Sequence, residues 1–144
     1  MLTTQEATTL ITQLQGQWIE GLRNSDYAWL ETHLADDFQF SAHPLPALQL
    51  SKREFIEMDK KIHNPQIRFV SIHAEPVGDL ILSRTVADVN EDFKADLGPG
   101  MPSTEDIRRI VSDQRLTYAS AWRKSGHLWQ CFDHRFVAIL SRSP

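Results

Sequence analysis

The final strand-like run of the chain is the feature that most constrains its fold. Residues 128–140 are LWQCFDHRFVAIL, and the last five of them, 136–140, are all apolar. In a single-layer sheet with one face in water, apolar and polar residues would alternate along the strand. Both faces of this strand are therefore expected to be covered, and a second copy of the chain is the simplest cover for the outer face.

Helical patterns dominate the first part of the chain. Apolar residues at three- and four-residue steps predict a helix over 4–23. A second helix is predicted at 26–35, with Ser25 as its cap. The sequence SKRE at 51–54 is a capping box, and it predicts a short third helix that ends near residue 61.

Strand patterns dominate the rest. A first strand is predicted at 38–43, where apolar and polar residues alternate, and Gly78-Asp79 and Ser125-Gly126 mark hairpin turns. The glycines and prolines of residues 91–114 predict a loop, with room for one helical turn at 104–111. The other predicted strands are 67–77, 80–89, 115–124 and 128–140. A chain in which the helices come first and an antiparallel meander comes last is typical of an α+β arrangement.

The composition fits one domain over residues 1–144, since 41% of the residues are hydrophobic and 24% are charged. The net charge of −4 argues against nucleic acid as a partner. The one cysteine, Cys131, fits a reducing compartment. We find no signal peptide and no run near the ~20 apolar residues of a membrane span. The sequence thus predicts a cytoplasmic protein without a membrane partner.

Two segments carry a resemblance to a known family. Residues 24–40, NSDYAWLETHLADDFQF, resemble the helix-to-strand passage of the nuclear-transport-factor-2-like superfamily. Residues 118–136, YASAWRKSGHLWQCFDHRF, resemble its hairpin with a late histidine. This superfamily includes SnoaL-like polyketide cyclases, ketosteroid isomerases and a kinase association domain. The resemblance covers nearly the whole chain and implies a curved antiparallel sheet wrapped around the N-terminal helices, cone-shaped, with a central pocket.

The ketosteroid isomerases of this superfamily place a tyrosine on the first helix, an aspartate base on the first strand and a protonated aspartate on a late strand. The resemblance puts Trp18, Ala42 and Tyr118 at these positions. Ala42 has no acid-base group, and Trp18 donates only from its ring N–H. Because only Tyr118 keeps a comparable donor, isomerisation by that mechanism is not expected.

Strand periodicity divides Asp133-His134-Arg135 between two surfaces, because neighbours on a strand face opposite ways. Asp133 and Arg135 are expected to point outward, toward solvent or a partner subunit. By the same two-residue period, the resemblance implies an inward set on the last two strands. It consists of Tyr118, Ser120, Trp122, Phe132, His134 and Phe136.

Three residues are candidates for catalysis. His134 could act as a general base because imidazole titrates near neutrality, and the alternative is a hydrogen-bonded structural histidine. Tyr118 could donate to a developing oxyanion. His43 would face the cavity if a bulge turned it inward, and is otherwise an exposed loop residue. The predicted aromatic binding wall, or alternatively plain core packing, consists of Trp18, Phe40, Trp122, Phe132 and Phe136.

The sequence therefore predicts a pocket for a small, mostly apolar organic molecule, without a cofactor. It shows no metal-ligand spacing, no phosphate loop, no dinucleotide-binding turn and no nucleophile elbow. For an enzyme, the expected chemistry is proton transfer in a cyclisation, isomerisation or dehydration. The alternative is a non-catalytic binding or association module, and in either case we expect a homodimer through the outer sheet face.

Overall fold

A computed structural model describes residues 1–42, 48–63, 67–89, 94–95, 97–101, 103–111 and 114–141. The helices are α1 (Thr4–Arg23), α2 (Ala28–His33), α3 (Lys52–Lys60) and α4 (Thr104–Val111). The strands are β1 (Leu34–Ala42), β2 (Leu48–Ser51), β3 (Ile62–His63), β4 (Ile67–Val77), β5 (Leu80–Val89), β6 (Lys94–Ala95), β7 (Gln114–Ser125) and β8 (Leu128–Ser141).

Within these ranges the strands form a curved six-stranded sheet in the order β2-β1-β8-β7-β5-β4, and β3 pairs with β6 in a small second sheet. All neighbours in the large sheet are antiparallel except β1 and β8, which run parallel. The predicted α+β arrangement of N-terminal helices on a curved sheet is confirmed. The sheet is mostly rather than wholly antiparallel, because β8 lies beside β1 and runs parallel to it.

Capping boxes begin two of the helices. Glu6 N donates to Thr3 Oγ1 at 3.1 Å, while Thr3 N donates to the Glu6 carboxylate at 3.0 Å. Ser51 and Glu54 make the same reciprocal pair at 3.1 and 3.3 Å at the start of α3. Each box satisfies two backbone N–H groups that the first helical turn leaves free. The predicted bounds of α1 and the predicted start of α3 are confirmed.

The second helix is shorter than predicted, and its cap is different. It begins at Ala28, whose N–H donates to Asp26 Oδ1 at 3.1 Å. Ser25 is not the cap, because it has a φ of 54° and makes the left-handed turn between α1 and α2. The helix ends at His33, so β1 begins at Leu34 rather than at residue 38.

The hydrophobic core lies between α1, α3 and the inner face of the sheet. On β5 the residues at alternate positions 81, 83, 85 and 87 are buried, and they pair with 122, 120, 118 and 116 of β7. Helix α1 is fixed to this face by Gln15, whose Oε1 accepts a buried hydrogen bond from Thr85 Oγ1 at 2.7 Å. Among the described residues, no helix is both long and apolar enough to cross a membrane.

Candidate functional site

Five rings meet at the centre of the inner face, and we call them the inner cluster: Trp18, Phe40, Phe55, Tyr118 and His134. The His134 ring lies at their middle. It stacks on Tyr118 with ring centroids 5.1 Å apart and planes 6° apart, and its centroid is 4.9 Å from that of Trp18. Phe40 and Phe55 lie 5.8 and 6.1 Å away. Elements from both ends of the chain therefore converge on one imidazole.

His134 has one occupied and one free ring nitrogen. Its Nδ1 shares a buried hydrogen bond of 2.7 Å with Ser120 Oγ, the cross-strand neighbour on β7. Its Nε2 makes no hydrogen bond to any residue of the described ranges. Burial lowers the pKa of His134 to about 4, and the nearby Asp133 charge opposes this shift only in part. The imidazole is therefore neutral near pH 7, and it can present Nε2 to a ligand.

Tyr118 brings a hydroxyl to the same place. Its ring is partly buried against the cluster, and its hydroxyl forms no hydrogen bond within the part of the chain that the structure describes. Burial raises the pKa of Tyr118, and the charge of Asp59 raises it further. The phenol therefore stays protonated and remains a hydrogen-bond donor.

Asp59 is a site residue that the sequence analysis missed. It follows Phe55 by one turn of α3, and the residues that this helix buries are Phe55, Ile56 and Asp59. Its side chain is only 8% exposed, and its Oδ2 has no hydrogen-bond partner in the described structure. Burial raises the pKa of this carboxyl from 3.8 to about 8. The signal in the sequence was an acidic residue on the apolar stripe of a short helix.

The residues predicted to form the aromatic binding wall lie in different parts of the structure. Trp18 and Phe40 belong to the inner cluster, and Phe136 packs against Tyr118 with centroids 5.5 Å apart. Trp122 is fully buried beneath the cluster, where its Nε1 donates to Ser83 Oγ at 3.1 Å. Its full burial makes Trp122 a part of the hydrophobic core.

Phe132 does not face inward, so its predicted place in the inward set is wrong. Trp122 pairs with Cys131 and Ala121 pairs with Asp133, which leaves Phe132 as the extra residue of a bulge. Cys131 is buried in its stead, while Phe132 lies beneath the Arg123 guanidinium at 4.9 Å. Strict two-residue alternation therefore fails at this point of β8.

Two further predictions concern residues beside the site. His43 lies outside the described residues, so its role stays a prediction. Asp133 and Arg135 pair with each other on the outer side of β8, where Arg135 donates to both carboxylate oxygens at 2.9 and 3.1 Å. Among the described residues, no three His, Cys, Asp or Glu side chains are grouped so that they could hold a metal ion.

The Trp122→Phe variant should lose about 1–3 kcal/mol of unfolding free energy, because the Ser83 hydroxyl is left without its donor in the core. Chemical denaturation measures this loss. Trp129, which is only partly buried on the same strand pair, provides the matched control, and Trp129→Phe should cost less than half as much. Equal costs for the two variants would show that the buried hydrogen bond does not stabilise the fold.

Comparison with known proteins identifies the fold. No protein-family model and no curated protein matches the sequence. Among solved structures, the chain is similar to an NTF2-like protein from Cytophaga hutchinsonii, with a TM-score of 0.66 and 13% identity over 92% of this chain and 96% of that one. NTF2-like here denotes likeness to nuclear transport factor 2.

Two other similar structures differ in the functions suggested for them. One is a candidate dehydratase of the NTF2-like family from Streptomyces avermitilis, with a TM-score of 0.64 and 13% identity, covering 93% of this chain and 96% of that one. The other is a candidate calcium/calmodulin-dependent kinase II association domain from Exiguobacterium sibiricum, with a TM-score of 0.62 and 16% identity, covering 92% and 93%. The chain thus has the NTF2-like fold, and at these identities the likeness extends to the fold alone.

Proposed function

We propose that the chain binds a small, mostly apolar organic molecule at the inner cluster. The observation that carries this proposal is the Asp59 carboxyl, whose buried Oδ2 has no hydrogen-bond partner in the described structure and which lies on the same buried face of α3 as Phe55 of the inner cluster. Buried polar groups in folded proteins are almost always hydrogen-bonded. A ligand with an apolar body and one polar end would satisfy such groups while it contacts the surrounding aromatic rings.

A screen of small neutral ring compounds tests this proposal, with binding followed by thermal shift and located by NMR. Compounds that bind should perturb Tyr118 and His134. The Tyr118→Phe variant should weaken those that carry an oxygen acceptor roughly tenfold, because it removes one hydrogen bond and keeps the ring. Tyr27→Phe, at the N-cap of α2 and outside the inner cluster, is the matched control. If every compound that binds perturbs only the outer sheet face, the proposal is wrong.

A second candidate function is proton-transfer catalysis on such a molecule, as a cyclase, isomerase or dehydratase without a cofactor. The unpartnered Nε2 of His134 beside the Tyr118 hydroxyl favours it, since a base and a donor then flank one ligand. Similarity to a candidate dehydratase is consistent with this chemistry. In these roles His134 accepts or relays a proton and Tyr118 stabilises a developing oxyanion, with His43 as the predicted second imidazole. Turnover that survives in both His134→Gln and Tyr118→Phe would contradict this assignment.

We also propose that the chain forms a homodimer through the outer face of the sheet. Such a dimer is compatible with an enzyme and with a non-catalytic association module. Leu82 on β5 and Val137 on β8 are 45% and 36% exposed. Leu82 points away from the buried row that Ile81 and Ser83 begin, and Val137 is the extra residue of a second bulge in β8. Exposed apolar side chains on the face opposite the core favour contact with a partner subunit.

The Leu82→Glu/Val137→Glu double variant should therefore raise the dimer dissociation constant at least tenfold, because each change would place a carboxylate in the interface. Sedimentation across a dilution series measures this change. Leu128→Glu, at an equally exposed position (40%) next to the β7–β8 turn, should leave the constant unchanged. A wild-type chain that is monomeric at micromolar concentration would rule out the proposed dimer.

We further propose that the protein works in the cytoplasm, without a nucleic-acid or membrane partner. A net charge of −4 disfavours phosphate backbones and anionic lipid surfaces as partners. The one cysteine, Cys131, is a buried free thiol, as a reducing compartment would keep it. Cell fractionation tests the location.

A further inference from the structure

We propose that Asp59 anchors a protonated amine, so that the inner cluster takes an organic ammonium ion with an apolar body. This inference rests on the proposed ligand-binding function and names the ligand class for it. It concerns a residue on α3 that neither the family resemblance nor the similar structures single out.

The position of Asp59 is the first support. The carboxyl lies one turn, or about 6 Å of helix rise, beyond Phe55 on the same buried face of α3. Phe55 contacts both Trp18 and His134, with ring centroids 6.0 and 6.1 Å apart. Asp59 is buried on this face together with Phe55 and Ile56, and its Oδ2 has no hydrogen-bond partner among the described residues, so the carboxyl lies away from the solvent side of the helix.

The second support for an ammonium ligand is that no buried lysine or arginine accompanies Asp59 in the described structure. Among the described buried residues there is no lysine or arginine, and Asp59 is the only acid. Tyr118 and His134, the titratable groups of the inner cluster, are both neutral near pH 7. On its own helix, Glu57 pairs with Lys60 and Arg53 on the solvent side. Among the described buried residues, therefore, no side chain would supply a cation to an ionised Asp59.

The aromatic surroundings are the third support. A cation close to ring faces is attracted to their negative quadrupole, and the attraction is strongest where water is excluded. Trp18, Phe55 and Tyr118 supply such rings in the inner cluster, which Phe55 joins from the buried face of α3, and the neutral His134 adds no repulsion. An anionic ligand would find no positively charged side chain among the described buried residues, so the arrangement disfavours carboxylates and phosphates.

Proton exchange gives the binding event a distinctive signature. In the free protein, burial raises the pKa of Asp59 to about 8, so the carboxyl holds a proton at neutral pH. An ammonium ion stabilises the carboxylate, and the carboxyl proton then passes to the buffer as the ion pair forms. The affinity should rise as the pH increases toward 8 and then level off, until the amine loses its own proton near pH 10.

A neutral ligand with an oxygen acceptor is the rival occupant, because a protonated Asp59 could donate to it. Two probes of nearly equal shape separate the cases: 2-phenylethylamine, which carries an ammonium group, and 2-phenylethanol, which is neutral. Titration calorimetry of the full chain at pH 6 and pH 8, in buffers of different ionisation enthalpy, measures the affinity and the number of protons released.

We expect the amine to bind at least tenfold more tightly than the alcohol at pH 8, and its affinity to fall at pH 6, with close to one proton released per amine bound at pH 6. The Asp59→Asn variant should bind the two probes with affinities within a factor of two of each other. The Glu57→Gln variant removes an exposed carboxylate from the same helix and should keep the full preference. Circular dichroism confirms that both variants remain folded.

An alcohol that binds as tightly as the amine would overturn the ammonium assignment and leave the proposed ligand-binding function standing. So would an amine affinity that is unchanged in Asp59→Asn. If neither probe binds, this inference is wrong, and the screen with Tyr118→Phe then decides the proposed function separately.

Discussion

The Asp59→Asn variant is expected to be more stable than the wild-type protein at pH 8, by on the order of 5 kcal/mol. Burial raises the pKa of Asp59 from 3.8 to about 8. Between these two values the folded state holds a proton that the unfolded state has released. Unfolding therefore becomes more favourable as the pH rises through this window, and the penalty is complete near pH 8. Asparagine has the same shape and never ionises, so it removes the penalty.

Chemical denaturation from pH 3.5 to pH 9 measures this effect. The two proteins should have similar unfolding free energies near pH 3.5 and should separate steadily up to pH 8. Glu57→Gln is the matched control on α3, because Glu57 is exposed and its ion pairs are worth less than about 1 kcal/mol. An Asp59→Asn curve parallel to that of the wild type would show that the carboxyl is ionised in the folded protein.

The second large effect is a pH dependence of opposite sign that arises from His134. Burial lowers the pKa of His134 from 6.5 to about 4, so between these values the unfolded state binds a proton and the folded state does not. The unfolding free energy should therefore rise with pH across this window, by on the order of 3 kcal/mol. In the wild type this rise opposes the Asp59 effect below pH 6.5, and a net fall should remain between pH 6.5 and 8.

The Asp59→Asn background isolates the histidine contribution. There, the unfolding free energy should increase from pH 4 to pH 6.5, and adding His134→Gln should remove most of the increase. His73→Gln is the control, since His73 lies exposed on β4 beside Glu75. The slope is the quantity to compare, because His134→Gln also breaks the hydrogen bond to Ser120 and lowers stability at every pH. If the unfolding free energy of the Asp59→Asn/His134→Gln variant still rises with pH, the rise comes from another titratable group.

The sequence predicted correctly those helices whose start is set by residues close to one another in the chain. The α1 stripe and the Ser51-Glu54 box each depend on residues within one or two turns, so both helices begin where the sequence indicated. The end of α2 was predicted less well, because the early start of β1 at Leu34 depends on pairing with β8. That pairing joins residues distant in sequence.

The candidate site was predicted in part. The two-residue period placed Tyr118, Ser120 and His134 on one face, and the structure brings all three together. It misplaced Phe132, since a bulge adds one residue to β8 and turns this ring outward. Asp59 was missed because its solvent exposure depends on what covers α3, and a nine-residue helix without tertiary contacts would leave the carboxyl in water.

By itself, the sequence determined the α+β order, the starts of α1 and α3, the hairpins and the aromatic character of the inner face, because periodicity, capping and turn chemistry are properties of neighbouring residues. Only the tertiary structure decided which polar groups have altered proton affinity. The pKa of His134 is lowered by burial among rings contributed by α1, α3, β1 and β7, and the pKa of Asp59 is raised by burial on the inner side of α3. Desolvation depends on every neighbour in space, and no local pattern in the chain encodes it.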